Sequence, residues 1–472
     1  MRVPIDSALG QELEAKLDST TDLVTPESPK YEASLSRWSD GAVKRAGAVA
    51  YPTTVDDVST LVKFAAQHNL DLAVKGGGHS TGGTSSTTGG LVIDLSRMRR
   101  VTVDTQKKLI TAQGGALWQD VDDAAIEHGL ATVGGTVNHT GIGGLTLGGG
   151  LGWLCGMYGM VIDNLVAAKV VVPDGRILTV SDTENSDLFW AIRGAGQNFG
   201  VTVEFKYRAY EQTTPVYFGF LTFAPDKVIS VVEALNRTFE NADPRGGAMC
   251  VFAQPPGAPG PVVNAVLFYN GNEESGKEYF SELFDLEPLN ISASEMPYNK
   301  VNGQLNPLAQ PGGRKALKVV TLASPVRPEY AASIFEMLVN QLKEEPDMAS
   351  TFISIEFYDL AKTTSIPPDA TSCANRGTYQ PGIIGLSWTD PAKDNKFRAW
   401  GRKLQAQCIE WIKQSDKLPN HGQALQYANY AEPDDVLTNP FGVNKQKLAV
   451  LKAKYDPQGM FDKATARIPV AN

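Results

Sequence analysis

Glycine is clustered in this 472-residue chain, and the clusters constrain its fold more than any other feature. They fall at Val74–Ser80 (VKGGGHS), Gly141–Gly152 (GIGGLTLGGGLG) and Gly194–Gly200 (GAGQNFG). Glycine lets backbone N–H groups approach a ligand closely and adopt positive φ. Successive N–H groups then form a concavity suited to a pyrophosphate. Three such segments flanked by strand-like runs suggest a large dinucleotide lying across several loops; taken singly, each is equally a tight turn. The common nucleotide signatures are missing. The third glycine of a Rossmann GxGxxG would fall at Thr146 in the second cluster and at Phe199 in the third. No Walker A lysine is present. Gly78-His79-Ser80-Thr81-Gly82 matches the GxSxG nucleophile elbow, which needs a helix directly after the serine. The continuation, Gly83–Gly90 (GTSSTTGG), is a poor helix on propensity. A serine hydrolase is therefore a minor alternative.

The chain is too long for one ordinary core, since domains hold roughly 100–200 residues. Val55, Val58, Leu61, Val62 and Ala65 form a helical stripe behind a Thr54 N-cap. A short apolar run from Leu70 to Val74 follows, and strands are predicted at Leu91–Leu95, Val101–Val103 and Leu109–Ala112. A helix is predicted over Leu117–His128. Val170–Val180 reads as a hairpin turning on Pro173-Asp174-Gly175. Beyond Thr213, the apolar runs Val216–Phe223, Val262–Tyr269, Leu317–Leu322, Phe352–Tyr358 and Ile383–Trp388 alternate with helical stretches. Those helices are expected near Asp226–Glu240, Pro328–Glu344 and Pro391–Ile412. Such alternation suggests a sheet covered on one face, an α+β second domain. Asn444–Tyr455 is a final helix, stopped by Asp456-Pro457.

Lys and Arg total 43 against 52 Asp and Glu, a formal charge of −9. That balance argues against nucleic acid as a partner, because a phosphate-backbone binder needs a concentrated basic surface. Cys155, Cys250, Cys373 and Cys408 form no CxxC pair. His68, His79, His128, His139 and His421 form no HxH or HExxH, so no metal site is expected. His68 and His128 sit at predicted helix ends. Met1–Glu12 lacks a signal-peptide core, and no run of about 18 apolar residues follows. The expected location is the cytoplasm, with no membrane partner. N-x-[ST] triplets at Asn138, Asn236 and Asn290 leave secretion open if a leader has been removed.

Three stretches resemble the FAD-binding domain of the vanillyl-alcohol-oxidase superfamily: Val74–Ser80, Thr140–Asn164 (TGIGGLTLGGGLGWLCGMYGMVIDN) and Arg193–Phe205 (RGAGQNFGVTVEF). Tyr427-Ala428-Asn429-Tyr430 and Asn444–Phe461 resemble the closing segment of berberine-bridge-enzyme-like oxidases. The resemblance implies an α+β, two-domain, PCMH-type FAD-binding fold. Residues 1–212 would bind FAD, and 213–431 would form a substrate domain on a large antiparallel sheet covered by helices. Residues 432–472 would return to the FAD-binding domain. It further implies that His79 is joined covalently to the flavin 8α-methyl. Gly76, Gly77, Gly78 and Ser80 would contact the cofactor beside it. From the second cluster and the segment before it, Val137, Thr140, Gly141, Gly143, Gly144, Thr146, Gly149, Gly150 and Gly152 are implied. Asn198, Gly200, Val201 and Asn429 complete the set. Relatives with a second, cysteinyl link carry a thiol where this chain has Val137. Cys155 lies outside that slot and reads as a small buried hydrophobe. A single attachment is expected, as in 6-hydroxynicotine-oxidase-like members, and an oligosaccharide substrate loses weight.

In an FAD oxidase the cofactor performs the electron chemistry, while the protein orients the substrate carbon and manages a proton. Tyr430, the second tyrosine of the YxNY pattern, is the candidate base, provided that its surroundings stabilise phenolate. Tyr427 is placed to help by hydrogen bonding, and Asn429 to contact the flavin. On a regular strand Tyr427 and Asn429 would share a face and Tyr430 would oppose them; they could equally be core aromatics. Glu356 is the second candidate. With Ser354 it makes one polar face of Phe352–Tyr358, which either lines a cavity or meets solvent. The expected activity is oxidation of an alcohol or amine carbon of a small specialised metabolite, with dioxygen as acceptor and hydrogen peroxide as product. A carbohydrate oxidase is the alternative within the oxidases, and a flavin-free binding protein that has kept the fold is the alternative of another class. The oligomeric state stays open.

Overall fold

A computed structural model describes residues 2–414, 426–433, 435 and 440–470; His421 lies outside them. The first unit holds two main sheets, with a short two-stranded pairing of Leu130–Ala131 and Tyr210–Glu211 beside them. In the smaller main sheet, Ala48–Tyr51, Leu91–Asp94 and Leu72–Lys75 run parallel, with Asp22–Val24 antiparallel at one edge. The helix Val55–Gln67 makes the crossover between Ala48–Tyr51 and Leu72–Lys75. Thr54 caps it by accepting from the Asp57 N–H, and Val58, Leu61, Val62 and Ala65 are buried, as the periodicity predicts. The larger sheet is antiparallel, in the order Val101–Asp104, Leu109–Gln113, Val201–Arg208, Leu165–Val171, Ile177–Ser181. Its last two strands form the expected hairpin.

The second unit is a seven-stranded antiparallel sheet in the order Asn290–Met296, Val216–Phe223, Val262–Tyr269, Gly246–Ala253, Phe352–Tyr358, Tyr379–Trp388, Arg314–Ala323. Helices Val228–Glu240, Pro328–Glu344 and Asp394–Lys413 cover one face. Leu235, Leu338 and Leu404 pack there against Cys250, Ile355 and Leu386. The opposite face carries Met249, Val251 and Phe268, which share a core with Trp118 and Trp153 of the first unit. The sheet is therefore closed on both sides, one by its own helices and one by the first unit.

In this sheet two strands, Gly246–Ala253 and Asn290–Met296, lie outside the sequence expectation, as do Asp22–Val24, Ala48–Tyr51 and Val201–Arg208 in the first unit. Gly246–Ala253 is buried at every position. Asn290–Met296 is a largely exposed edge. The former has no polar position to alternate, whereas Asn290–Ser294 does alternate, as Asn, Ile, Ser, Ala, Ser, but carries only Ile291 and Ala293 on its apolar side, with Ile291 exposed. Ile142–Leu147, inside the second glycine cluster, forms a short helix rather than a loop. The closing helix Lys445–Tyr455 packs on the first unit, where Leu448, Leu451 and Tyr455 join the core around Leu188 and Phe189. Among the described residues no helix is long and apolar enough to cross a membrane.

Candidate active site

All three glycine clusters meet on one cavity of about 370 Å³ between the first unit and the seven-stranded sheet. Gly76, Gly77, Gly78, His79 and Ser80 line it from the first cluster, with Gly141, Gly143 and Gly144 from the second. Asn198 and Gly200 line it from the third, and Val137 and Thr140 from the segment before the second. The glycines divide into two kinds. Gly77 and Gly141 lie back to back, so a Cβ on either would collide with the other's backbone nitrogen. They let two loops touch. Gly144 is different: a Cβ there meets nothing within 4 Å. At Gly76 and Gly143 the nearest atom is the Gly114 carbonyl oxygen, at 3.5 and 3.4 Å.

Those three positions form a cradle that side chains would fill. The wall also holds Ser85 Oγ and Thr202 Oγ1, both buried without a hydrogen-bond partner. Unpartnered buried polar groups cost free energy unless a ligand satisfies them. An open backbone cradle with free hydroxyls fits a flavin dinucleotide.

Five positions expected at the cofactor lie outside the cavity wall. Thr146 Oγ1 is bonded to the Tyr207 hydroxyl at 2.8 Å. Gly149 packs under Met160 and Tyr427, and Gly150 donates its N–H to the Tyr427 hydroxyl at 2.9 Å. Gly152 abuts the Gly134 carbonyl, and Val201 is buried with Val171 and Val203. They hold the loops in place instead of facing the cavity. Trp38, Thr84, Gly114, Thr136 and Lys463 line it without having been anticipated, since they carry no spacing signature.

His79 is clamped between two rings. Trp38 stacks on it at 4.9 Å and 11°, and His139 at 4.8 Å and 30°. His79 Nε2 lies 2.7 Å from His139 Nδ1, so the two share one proton. Burial, with His139 alongside, pushes the His79 pKa down to about 3. A neutral imidazole keeps a lone pair available. His139 was only a lone histidine in the sequence; folding brings it across 60 residues to its partner. The GxSxG match carries no elbow: Ser80 Oγ accepts from the Thr84 N–H at 3.2 Å, and turns follow instead of a helix. Cys155 is buried in the short helix Cys155–Tyr158, its thiol pushed up to about 12, and none of the four cysteines lines the cavity.

The strand geometry considered for Tyr427–Tyr430 is not what forms. Ala428–Tyr430 is a 3-10 turn, which swings Tyr427, Asn429 and Tyr430 onto the same cavity. Asn429 Nδ2 donates to the Tyr427 hydroxyl at 2.8 Å and to the Leu145 carbonyl at 2.9 Å. Its side chain fits only because Gly148 has no Cβ. The Tyr430 hydroxyl donates to Glu356 Oε1 at 2.8 Å. Glu356 is 2% exposed, and burial raises its carboxyl to about 7. Its Oε2 makes no hydrogen bond, although the Tyr358 hydroxyl stands close enough to favour the carboxylate. Burial and the adjacent Glu356 push the Tyr430 phenol well above its usual value. The surroundings thus oppose phenolate, the reverse of what a tyrosine base requires.

Residues 46–181 match the family model described as an FAD binding domain. The chain is 36% identical over 473 residues to the FAD-linked oxidoreductase pgmH of Aspergillus terreus, covering 97% of this chain and 96% of that one. Among solved structures it is similar to BBE-like 1 of Physcomitrella patens, with a TM-score of 0.84, 20% identity and coverage of 98% and 99%. A chitooligosaccharide oxidase matches with a TM-score of 0.81, 23% identity and coverage of 98% and 100%.

Proposed function

Because the chain belongs to the berberine-bridge-enzyme-like family of FAD-linked oxidoreductases, we propose that it oxidises an alcohol or amine carbon of a small metabolite and passes the electrons to dioxygen, giving hydrogen peroxide. The bound FAD supplies the hydride acceptor, and the protein's share is orientation and proton transfer. The observation that carries this reading is the buried Glu356–Tyr430 pair on the cavity wall. A general base works best with a pKa near the operating pH. Glu356, raised to about 7, meets that condition, whereas Tyr430 is held protonated. We therefore assign the proton to Glu356 Oε2. Tyr430 fixes Oε1 and so orients the carboxylate.

The cofactor end has its own support. His79 is neutral, stacked and tethered through Nε2, which favours covalent attachment through this histidine. His139 Nδ1 is placed to receive the proton that His79 releases. With Val137 in the cavity wall and no cysteine there, a second link has no thiol to form it.

The purified protein is expected to be yellow and to keep its colour through acid precipitation. His79→Ala releases the flavin on denaturation, and Cys155→Ser does not. In anaerobic stopped-flow, Glu356→Gln slows flavin reduction by about 10²–10⁴-fold, the usual range for a general base. Tyr430→Phe conserves ring volume and slows it less. A larger loss in Tyr430→Phe than in Glu356→Gln would return the base to the tyrosine. A colourless protein from flavin-replete cells would overturn the oxidase reading.

A further inference from the structure

Glu356 is not the last polar residue on its strand face. Alternate residues of a strand share a face, so Tyr358 follows Ser354 and Glu356 on the side turned to the first unit. Phe352, Ser354 and Glu356 line the cavity, whereas Tyr358 stands just beyond its wall. Register places Tyr358 opposite Gly247. Its ring lies 3.5 Å from where a Cβ on that glycine would sit, with Trp153 at 3.4 Å from the same point. The ring is therefore packed, yet its hydroxyl is buried without a hydrogen-bond partner. Glu356 Oε2 is unpartnered in the same way. Residues two apart on a strand are separated by about 7 Å, a gap that a glutamate and a tyrosine side chain close between them. The hydroxyl stands close enough to favour the carboxylate. Each group lacks what the other offers, since a phenol donates and an ionised carboxylate only accepts.

We propose that Tyr358 is a positioning residue for Glu356: from outside the cavity its hydroxyl donates to Oε2 once Glu356 is ionised, so that two phenols hold the two carboxylate oxygens. The proposal rests on the reading of Glu356 as the base and deepens it. Among the described residues Glu356 has no ion-pair partner. The titratable groups that face it are Tyr430 from the 3-10 turn, Tyr358 from its own strand and Cys155 from the short helix Cys155–Tyr158. Met249, its neighbour in register, is apolar. A buried charge without a cation has to be held by hydrogen bonds. Tyr430 supplies one at Oε1, and Tyr358 supplies the second at Oε2. Tyr358 keeps its own proton throughout, because burial and the adjacent Glu356 push its phenol well above its usual value. It is a donor and never the base. A carboxylate has about four lone-pair sites over its two oxygens, so Oε2 can hold Tyr358 and still receive the substrate proton. Because Tyr358 does not line the cavity, it acts on the reaction only through the charge of Glu356.

The test follows the Glu356 carboxyl of the holoenzyme by infrared difference spectroscopy from about pH 4 to about pH 10, a range that spans both the ordinary and the raised value. Glu356→Gln is the reference that isolates its C=O stretch. Tyr358→Phe keeps the ring that packs on Gly247 and removes only the unpartnered hydroxyl, so the fold survives. Its carboxyl midpoint is expected about 1–2 pH units above that of the wild type, the loss of one hydrogen bond to a charged group. Thermal melting of the same proteins is the second readout. At about pH 5 Tyr358→Phe is expected to melt with the wild type, and at about pH 9 below it, because a carboxyl pushed further up loses stability over a wider range of pH. The difference vanishes when both proteins carry Glu356→Gln. A packing role would lower melting equally at every pH and in both backgrounds, and would overturn the proposal. The wild-type midpoint and its shift are separate readings. A midpoint near 7 that does not move in Tyr358→Phe would overturn the proposal and keep Glu356 as the base. A midpoint at the ordinary 4.5 that still moves up would keep the Tyr358 contact and overturn the base.

Discussion

Glu356 shows how a residue's role is set by where folding puts it. The alternation of Phe352–Tyr358 makes its face legible in the sequence, but whether that face meets solvent or a cavity depends on the first unit packing over it. Tyr430 is the converse. Its motif marks it as important, while its ionisation follows from burial beside a carboxylate, which no local pattern encodes. The raised carboxyl has two consequences with opposite use of the same proton. A base acts deprotonated, so the rate of flavin reduction rises with pH through about 7, and Glu356→Gln flattens that profile. For stability, the folded carboxyl binds its proton more tightly than the unfolded one, whose ordinary value is 4.5. Its stabilising contribution is present below that value and is lost as pH rises through about 7. Between pH 5 and pH 8 the melting temperature of the wild type should therefore fall more than that of Glu356→Gln. Parallel curves for the two proteins would show that the carboxyl titrates normally.

At the scale of elements, helices with a clear stripe and strands with one polar face are readable from spacing. Val55–Gln67 and Phe352–Tyr358 are of that kind. Gly246–Ala253 is not, because Ala248, Cys250 and Phe252 face the helices while Met249 and Val251 face the first unit, leaving no polar positions to alternate. The glycine clusters are legible as a group, yet the sequence cannot sort those that face a ligand from those that let loops touch. The structure sorts them, and the difference is measurable. Gly144 lies in the helix Ile142–Leu147 with open space before it. Gly144→Ala should leave the apoprotein as stable or up to about 1 kcal/mol more so, as expected for alanine in a helix. Flavin content per protein should fall, because the added methyl enters the cradle. Gly77→Ala should do the reverse of a selective lesion. Its Cβ meets the Gly141 backbone, so the apoprotein itself loses stability, by about 1–3 kcal/mol as overpacking does. Melting of the apoproteins and the flavin-to-protein absorbance ratio separate the two; an unchanged ratio in Gly144→Ala would remove it from the cofactor wall.

The whole molecule is held closed by contacts that no window of sequence can reveal. The helix Lys445–Tyr455 is periodic enough to predict, but its return to the first unit is suggested in the sequence only by family resemblance. In the fold the return has a physical cause. Lys452 Nζ, 1% exposed, donates to the Asn198 carbonyl at 2.7 Å, to Asp456 at 2.7 Å and to the Phe461 carbonyl at 2.9 Å. Asn198 replies by donating to the Ala466 carbonyl at 3.0 Å and accepting from the Ile468 N–H at 3.1 Å. Asn198 also lines the cavity, as do Lys463 and Ala466, so the strap that closes the fold is part of the cavity wall. Removing one partner of a buried pair strands the other charge, at about 3–5 kcal/mol, while replacing both by neutral groups is much less costly. Lys452→Met should therefore lower the melting temperature and loosen flavin binding together. The double variant Lys452→Met/Asp456→Asn should recover part of the stability, because no buried charge is left unpaired and the Asn side-chain oxygen can still accept from the Met460 N–H, whereas the Phe461 N–H loses its acceptor. The check is a double-mutant cycle by thermal melting with flavin release followed in the same samples. A single-variant loss under about 1 kcal/mol, the scale of an exposed ion pair, would mean that the strap is an ornament of the fold and that the cavity is closed by other contacts.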